Sequence, residues 1–295
     1  MQPEYTERLM NPKMECYRET YKDSPRWDGE EDLSEKTVII YGEQGHGDVL
    51  QFARYIPLIA QLKCKIIIHC QEGLKDLLLN QLTGISGWIP KNDGVVVELP
   101  KHDFHIPSMS LPFLLGIYEV DVPYIKPPQS DNSFEEFKTN FKVGIAWEGS
   151  VEHSNNEERS CPLGIFRKIH NMDKVKLFMC QKKIHLDKFV RGSEDMEVHG
   201  CHLNNFLDTA KLINEMDLII SVDTSVMHLA GAMGKKTICL MSYNHDPRWD
   251  LDINWYPSVK IIKQQEQGDW RGLMVDLNMH FAMIYEKWKI KTLSL

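Results

Sequence analysis

The stretch TVIIYGEQGHGDVLQFARYIP, residues 37–57, combines a β-branched run, a glycine-rich turn and a helix pattern. Residues 37–41 predict a buried strand, and the apolar positions that follow the turn have helical spacing and predict a helix over 48–62. Three glycines (42, 45 and 47) lead into Asp48. Turns of this kind often hold phosphate, but this one ends in a carboxylate whose purpose has to be explained.

Strand and helix patterns alternate along the rest of the chain, which is typical of βαβ units and a parallel sheet. The predicted fold class is therefore α/β. The predicted strands are 65–70, 94–99, 141–147, 175–180, 217–222 and 236–241, and the predicted helices are 72–82, 160–170, 206–216, 224–233 and about 268–288.

A proline-rich stretch, VPYIKPPQSDNSFEEF at 122–137, is the best linker candidate, because consecutive prolines stop both helices and central strands. We expect a charged arm over 1–35, Rossmann-like domains over 36–128 and 138–270, and a C-terminal helix over 271–295 that packs back towards the first domain. Ligands of open parallel sheets bind at the carboxyl ends of strands. The turns at 42–48 and 221–225 both lie at such ends.

Bulk properties limit the function classes. The net charge of −8 argues against a dedicated duplex-DNA binder and against nucleic acid as a partner. The seven cysteines form no CxxC pair, which is typical of reduced thiols. No apolar stretch approaches the roughly 18–20 residues of a membrane span, and the polar N-terminus does not read as a signal peptide. The expected class is a soluble cytoplasmic protein.

A second turn occurs in DLIISVDTSVMHLAGAMGKKTICL, residues 217–240. Asp223, Thr224 and Ser225 stand at the predicted start of a helix, where free N–H groups and two hydroxyls make an anion site. The alternative interpretation is ordinary capping by Asp and Thr. His228 lies one turn later on the same face; it either contacts the ligand or packs inside the fold.

Three blocks of the chain resemble the family 9-type glycosyltransferases, the heptosyltransferase-like proteins often fused to tetratricopeptide repeats. The resemblance covers about residues 25–275 and implies a GT-B architecture: two Rossmann-like domains facing a cleft, with a nucleotide-sugar donor in the C-terminal domain and the acceptor in the N-terminal one. The blocks are PRWDGEEDLSEKTVIIYGEQGHGDVLQFARYIPLI, FLDTAKLINEMDLIISVDTSVMHLAGAMGKKTICLM and DPRWDLDINWYPSVKIIKQQEQGDW.

The resemblance assigns roles to the first turn. The family's GD motif implies that Asp48 is the general base that activates the acceptor hydroxyl. The helix dipole favours the ionised carboxylate there, although Asp48 as a simple helix cap remains the alternative. Gly45 and Gly47 leave room for a sugar, and Glu43 and Gln44 either contact the acceptor or donor sugar or serve only the turn.

On the donor side, the resemblance places the diphosphate on Asp223, Thr224 and Ser225, with His228 nearby; Asp223 either touches the sugar or only orients the turn. Relatives carry a basic loop after the GIAW strand, whereas GSVEHSNNEERS at 149–160 holds three glutamates and Arg159. Arg159 is either the charge clamp or a solvated side chain. Trp147 either flanks the nucleotide or packs in the core.

Metal and cofactor sites are not expected. DLD at 250–252 is a three-residue match to a metal-binding string of another glycosyltransferase class, and HDFH at 102–105 lacks further ligands nearby. GEQGHG lacks both the P-loop ending and the dinucleotide spacing.

The predicted function is an inverting, metal-independent glycosyltransferase using a nucleotide sugar and a glycan, protein or small-molecule acceptor. The alternatives are a non-catalytic nucleotide- or glycan-binding module, which the acidic loop favours, and glycosylation of a modified nucleobase. The donor, the acceptor and the oligomeric state stay open.

Overall fold

A computed structural model of the protein describes residues 7–92, 94–129, 134–150, 155–182, 196–199 and 202–293. The chain divides into two compact units, residues 1–125 and 126–295. The division falls inside the stretch predicted as a linker, and residues 130–133 of that stretch lie outside the described residues. Each unit contains one parallel sheet.

The N-terminal unit contains a four-stranded parallel sheet in the order β3-β2-β1-β4 among its described residues. The strands are β1 (Thr37–Tyr41), β2 (Lys65–Cys70), β3 (Ile85–Pro90) and β4 (Phe104–Pro107). The α-helices are α1 (Glu15–Thr20), α2 (His46–Phe52), α3 (Ile56–Ala60), α4 (Lys75–Gln81) and α5 (Leu111–Leu115), with 3₁₀ turns at Arg8–Met10, Pro12–Met14, Ala53–Tyr55, Glu72–Leu74 and Ser108–Ser110.

The segment predicted as a surface arm is built into this unit. Tyr17 and Tyr21 are buried and stack on Tyr41 of β1 with ring centroids 4.9 and 4.7 Å away. Residues 25–27 run beside the edge strand β4, because the Trp27 N–H donates to the His105 carbonyl and the His105 N–H to the Pro25 carbonyl. These contacts were not predicted, because they depend on a few aromatic side chains in a segment that is otherwise mostly charged.

Two of the predicted elements of this unit differ from the structure. Residues 95–99 form no strand, and Val95 and Val96 are more than half exposed. The sheet positions are occupied instead by β3 and β4, which were not predicted, so the β-branched run has no strand to pair with. The helix predicted over 48–62 begins at His46 and is divided by the 3₁₀ turn Ala53–Tyr55.

The C-terminal unit contains a six-stranded parallel sheet among its described residues, in the order β10-β9-β8-β5-β6-β7. The strands are β5 (Phe141–Ala146), β6 (Val175–Met179), β7 (Val198–His199), β8 (Leu218–Val222), β9 (Thr237–Met241) and β10 (Val259–Lys263). Counted within the unit this is the order 6-5-4-1-2-3, which is the doubly wound arrangement of dinucleotide-binding folds. The order reverses between β5 and β8.

The helices of this unit lie between its strands in the chain, and the last of them is the longest. They are α6 (Asn156–Arg159), α7 (Arg167–His170), α8 (Phe206–Glu215), α9 (Ser225–Ala232) and α10 (Trp270–Leu293), with 3₁₀ turns at Glu135–Phe137, Leu163–Phe166 and Pro247–Asp250. The helix predicted over 160–170 is thus a 3₁₀ turn followed by the short α7. Strands β7 and β10 were not predicted.

The long C-terminal helix α10 packs one side on the core of its own unit. Leu273, Leu277, Phe281 and Tyr285 are buried in the same hydrophobic cluster as Phe141 of β5. The helix starts and ends later than predicted, at 270 and 293 instead of 268 and 288. Its predicted packing towards the N-terminal domain stays a prediction. None of the helices in the described ranges is long and apolar enough to cross a membrane.

Two buried histidines make the stability of the N-terminal unit depend on pH. Burial, with a further contribution from Lys91, lowers the pKa of His69 to about 4. Burial also lowers the pKa of His105 to about 4, with His102 and Arg26 adding to it. In the unfolded chain both rings titrate near ~6.5. Between these pH values the unfolded chain binds protons that the folded protein excludes, so the free energy of unfolding should fall as pH drops from about 6.5 to about 4.

This pH dependence is measurable with denaturant unfolding between pH 7 and pH 4. The double variant His69→Asn, His105→Asn keeps a polar atom near each Nδ1, where Tyr21 and Ser24 bind. In this variant the slope of the free energy of unfolding against pH should be smaller by up to ~1.4 kcal/mol per pH unit for each ring replaced. Both proteins share every carboxylate, so the difference isolates the histidines. Equal slopes in the two proteins would contradict the assignment.

Candidate functional site

The glycine-rich turn of the N-terminal unit follows β1, where the strand order reverses towards β4. Gly42 has no room for a side chain, because a Cβ there would overlap Val49 of α2 and touch Cys70 at the end of β2. The Tyr17 hydroxyl donates to the Gly42 carbonyl at 2.7 Å. The N-terminal segment therefore fixes the backbone from which the turn departs.

Glu43, predicted as a possible sugar contact, points into the protein. Its side chain is 1% exposed; Oε1 lies 2.9 Å from Arg8 Nε, and Oε2 accepts the Met109 N–H at 2.8 Å. Burial raises the pKa of the Glu43 carboxyl, while the charge and hydrogen bond of Arg8 act in the opposite direction. Arg8 also donates to Ser110. Glu43 thus ties the turn after β1 to the N-terminal segment and to the segment after β4.

The rest of the turn is more accessible. Gln44 and Gly45 are exposed, and Gly47 and Asp48 are half-buried in the first turn of α2. The Gln44 carbonyl accepts from Gln71 Nε2 and Lys91 Nζ. Asp48 Oδ2 accepts the Gly45 N–H at 3.0 Å, so Asp48 caps its helix. A carboxylate has about four acceptor positions, and this bond is therefore compatible with a further role.

The second predicted turn lies at the reversal point of the C-terminal sheet. Asp223 and Thr224 follow β8, which pairs with β5, and the turn leads directly into α9. Open doubly wound sheets bind their ligands at this place, outside the carboxyl ends of the strands. The local sequence produces this geometry because five buried apolar or small residues make the strand, and Thr224, extended at φ −140°, turns the chain into the helix.

The N-terminus of α9 is not capped by the Thr224 side chain. Its Oγ1 instead lies 3.3 Å from Ser221 Oγ, and no side-chain cap hydrogen bond is formed. Within the described residues, the N–H groups of α9 that precede the first helical hydrogen bond, from His228 to the Thr224 carbonyl, have no acceptor. Such groups carry the positive end of the helix dipole and suit an anion.

Arg159 is placed beside this turn, as the charge-clamp hypothesis requires. Its Nη1 lies 3.4 Å from the Asp223 carbonyl oxygen, and its Nε 3.5 Å from Asn156 Oδ1. The guanidinium crosses directly over Gly149, where a Cβ would overlap it. The absence of a side chain at 149 therefore determines where Arg159 lies. The neighbouring loop residues 151–154 lie outside the described residues.

Asp223 is held in a fixed position by aromatic and histidine partners. Oδ1 is 3.5 Å from His228 Nε2, and Oδ2 accepts the Trp249 indole N–H at 3.0 Å. His228 in turn lies 3.0 Å from the Tyr256 hydroxyl and stacks on Trp249. Burial alone would raise the pKa of Asp223, but His228, Arg248 and Trp249 together lower it. These contacts fix the direction of the Asp223 carboxylate.

Trp147 lies in the core, 7% exposed, as its alternative interpretation expected. Its backbone N–H and that of Glu148 both donate to Gln181 Oε1. Trp147 thus helps to shape the end of β5 from inside the unit.

The two strings that resembled metal sites have structural partners. Asp250 of DLD is bound by Lys263 at 2.6 Å and His245 at 2.9 Å. His102 and His105 of HDFH both contact the Ser24 hydroxyl. Across the part of the chain that the structure describes, no group of three or more His, Cys, Asp or Glu residues is arranged to hold a metal.

Residues 165–270, which contain β8, the turn and α9, match the family model described as glycosyltransferase family 9 (heptosyltransferase). Over these residues the chain is similar to that family. It is 22% identical to the protein FlbA of Caulobacter vibrioides over 84% of this chain and 46% of that protein, so it spans about half the length of this relative.

Solved structures show the same fold. The family 9 glycosyltransferase of Veillonella parvula matches with a TM-score of 0.59 at 12% identity, covering 88% of this chain and 99% of the other. The E. coli heptosyltransferase WaaC with ADP matches with a TM-score of 0.56 at 12% identity, covering 84% and 99%. The GT-B fold class predicted from the sequence is therefore confirmed: two parallel-sheet α/β units, as in this family of structures.

Three residues that support the two turns were not predicted from the sequence: Trp249, Tyr256 and Arg8. The signal for the first two was present, because RWDLDINWYP is one of the blocks that carry the family resemblance. Arg8 had no such signal: it lies in the charged segment, 35 residues before its partner Glu43.

The close approach of Gly149 and Arg159 gives a specific prediction. In Gly149→Ala the new Cβ should displace the end of a flexible side chain, so the thermal unfolding temperature should hardly change. Affinity for pyrophosphate should fall about tenfold or more, as in Arg159→Ala, because a charge-assisted hydrogen bond is worth ~1.5–3 kcal/mol. Isothermal titration would measure both variants.

Arg271→Ala supplies the charge-matched control, since Arg271 is an exposed arginine at the start of α10. It should bind pyrophosphate like the wild type. If Arg271→Ala weakens binding as much as Arg159→Ala while Gly149→Ala binds like the wild type, net charge, and not the position of Arg159, determines affinity.

Proposed function

We propose that this protein is an inverting, metal-independent glycosyltransferase that moves a sugar from a nucleotide-sugar donor to an acceptor hydroxyl. The observation that carries the proposal is the reversal point of the C-terminal sheet, where an uncapped helix N-terminus and Arg159 meet. Departure of a nucleoside diphosphate creates negative charge. Preorganised N–H donors and a guanidinium are the groups that stabilise such charge.

The leaving group is stabilised by the protein's own donors in this mechanism. The N–H groups that open α9 and the Thr224 and Ser225 hydroxyls hydrogen-bond the diphosphate, and Arg159 neutralises part of its charge. Asp223 is kept anionic and fixed by His228 and Trp249; it orients the turn without touching the diphosphate.

Asp48 is the general base of the proposed reaction. It stands in the first turn of α2, half-buried, beside exposed Gln44 and Gly45. The acceptor hydroxyl gives its proton to the carboxylate as its oxygen attacks the anomeric carbon, and the bond from that carbon to the diphosphate oxygen breaks. Attack from the side opposite to the leaving group inverts the configuration.

The donor is a nucleotide sugar, with ADP as the first nucleotide to test, because the structurally similar WaaC was solved with ADP. Thermal shift with ADP, GDP and UDP reports binding directly: a ligand at ~100 Kd adds roughly 2.7 kcal/mol to the free energy of unfolding. The acceptor is a glycan, a protein or a small molecule.

The second candidate is a nucleotide- or glycan-binding module without turnover. It is favoured by the acidic character of α6, where Glu157 and Glu158 directly precede Arg159. A protein that binds a nucleotide sugar but neither transfers nor hydrolyses the sugar with any acceptor would establish this alternative.

The catalytic assignment is tested with Asp48→Asn, which keeps the shape and the bond to Gly45. Transfer or donor hydrolysis should fall by ~10²–10⁴-fold, the usual contribution of a general base, while nucleotide affinity stays the same. Asp76→Asn is the matched control, because Asp76 is also a carboxylate in the first turn of a helix of the same unit. If the two variants lose the same small amount of stability and both keep full activity, Asp48 is only a cap.

A further inference from the structure

The C-terminal unit holds a second polar site close to the turn of Asp223, Thr224 and Ser225. A pocket of about 240 Å³ lies among the segment Glu157–Pro162, the loop that follows β9 and the loop that follows β10. Drug-sized ligands fill pockets of roughly 300–1,000 Å³. A volume of this size therefore fits a single small ring better than a whole nucleotide sugar.

One amide on the wall of this pocket lacks a partner. Gln264 is 5% exposed, and its Oε1 accepts the Tyr243 N–H at 3.0 Å and the Gly268 N–H at 3.3 Å. Its Nε2 is buried and has no hydrogen-bond partner among the described residues. Leaving a buried donor unsatisfied costs ~1–3 kcal/mol, so an acceptor supplied by a ligand would stabilise this position.

The other polar groups of the pocket form a connected set. Glu158 Oε2 accepts from Asn244 Nδ2 at 2.8 Å, and Oε1 accepts from Gln267 Nε2 at 3.0 Å. These two contacts join α6 to the loops after β9 and β10. Each of these amides has one further N–H and a side-chain oxygen, so it has the groups to donate to and accept from a ligand.

Two aromatic residues complete the wall. Tyr243 is 51% exposed, and Trp270 is partly exposed. An aromatic surface beside carboxylate and amide groups matches a ring that has apolar C–H faces and hydroxyl edges. Glu157 and Glu158 carry the only formal charges among the described residues that line the pocket, so a ligand with its own negative charge is repelled.

We propose that this pocket is a monosaccharide subsite that binds an uncharged pyranose ring and rejects acidic sugars. The proposal rests on the proposed function only for the origin of the ring, which is either the sugar of the donor or a sugar of the acceptor. The acidic residues of α6, which depart from the basic loop of the relatives, then have a purpose: Glu158 serves the sugar while Arg159 serves the diphosphate.

The test is direct binding of free sugars to the whole protein, without nucleotide. Saturation-transfer NMR with methyl glycosides of neutral hexoses and a heptose should detect binding, and glucuronic acid should not bind. Gln264→Glu keeps the acceptor for Tyr243 and Gly268 but removes the unpaired donor. It should lower the affinity for neutral sugars about tenfold, equivalent to ~1.4 kcal/mol. Tyr243→Ala should have a similar effect.

Gln181→Glu is a matched control for the glutamine change. Gln181 is equally buried, accepts two backbone N–H groups through Oε1 and has a buried Nε2 without a partner among the described residues. It lies outside the pocket lining, so this variant should bind sugars like the wild type. Tyr118→Ala, a change at an exposed tyrosine of the N-terminal unit, is the control for Tyr243→Ala.

The proposal is overturned if no neutral sugar binds, if glucuronic acid binds as well as the neutral sugars, or if Gln264→Glu and Gln181→Glu behave alike. The proposed function survives each of these results as long as nucleotides bind at the turn of Asp223. Conversely, sugar binding without any nucleotide binding would support the pocket and refute the glycosyltransferase.

The origin of the ring is decided by competition. If a nucleotide sugar displaces the bound glycoside and the bare nucleotide does not, the pocket holds the donor sugar. If the nucleotide sugar and the glycoside bind together, the pocket holds the acceptor. Both results support a monosaccharide subsite.

Discussion

The mostly buried carboxylate of Asp223 is the constraint around which the site of the C-terminal unit is built. A negative charge removed from water has to be compensated by hydrogen bonds and by opposite charge. Here His228 contributes from α9 and Trp249 from the 3₁₀ turn Pro247–Asp250. The start of α9 and the distant 3₁₀ turn are thereby both fixed at the end of β8. The same requirement explains Gly231, where a Cβ would overlap the Tyr256 ring that supports His228.

Most of the fold was predictable because a parallel sheet buries its central strands on both faces. Such strands read as continuous β-branched runs, as in β1, β2 and β8, and the helices between them keep their apolar spacing. The errors occurred at the edges. The edge strand β4 is only four residues long and ends in a proline, and a neighbouring segment, residues 25–27, supplies hydrogen bonds on its outer side. By hydrophobicity alone, residues 94–99 were the better strand candidate, but within the described part of the unit no strand pairs with them.

The predicted site residues came mainly from the family resemblance, and the structure adds what sequence spacing cannot show. Because Asp223, Thr224 and Ser225 are adjacent in the chain, their proximity in the structure could be predicted from the sequence. The position of Arg159 depends on the bare backbone at Gly149, and Glu43 is directed inward by Arg8. These arrangements depend on tertiary contacts between residues that have no periodic relation. A polar residue in a glycine-rich turn is equally suited to a ligand and to the protein interior until its partners are known.

Adjacent residues of α6 carry opposite charges within a single helical turn, and the two proposals give each charge its own task. Arg159 lies against the Asp223 carbonyl, and Glu158 binds the amides of Asn244 and Gln267. A diphosphate requires positive potential, whereas a hydroxyl-rich ring is bound by acceptors and amides, so a nucleotide sugar or a sugar acceptor presents both demands at close range. Successive residues on a helix point about 100° apart, which lets one short segment serve both sides. The acidic sequence that seemed to argue against a donor site is thus consistent with one, provided that the two charges serve different parts of the substrate.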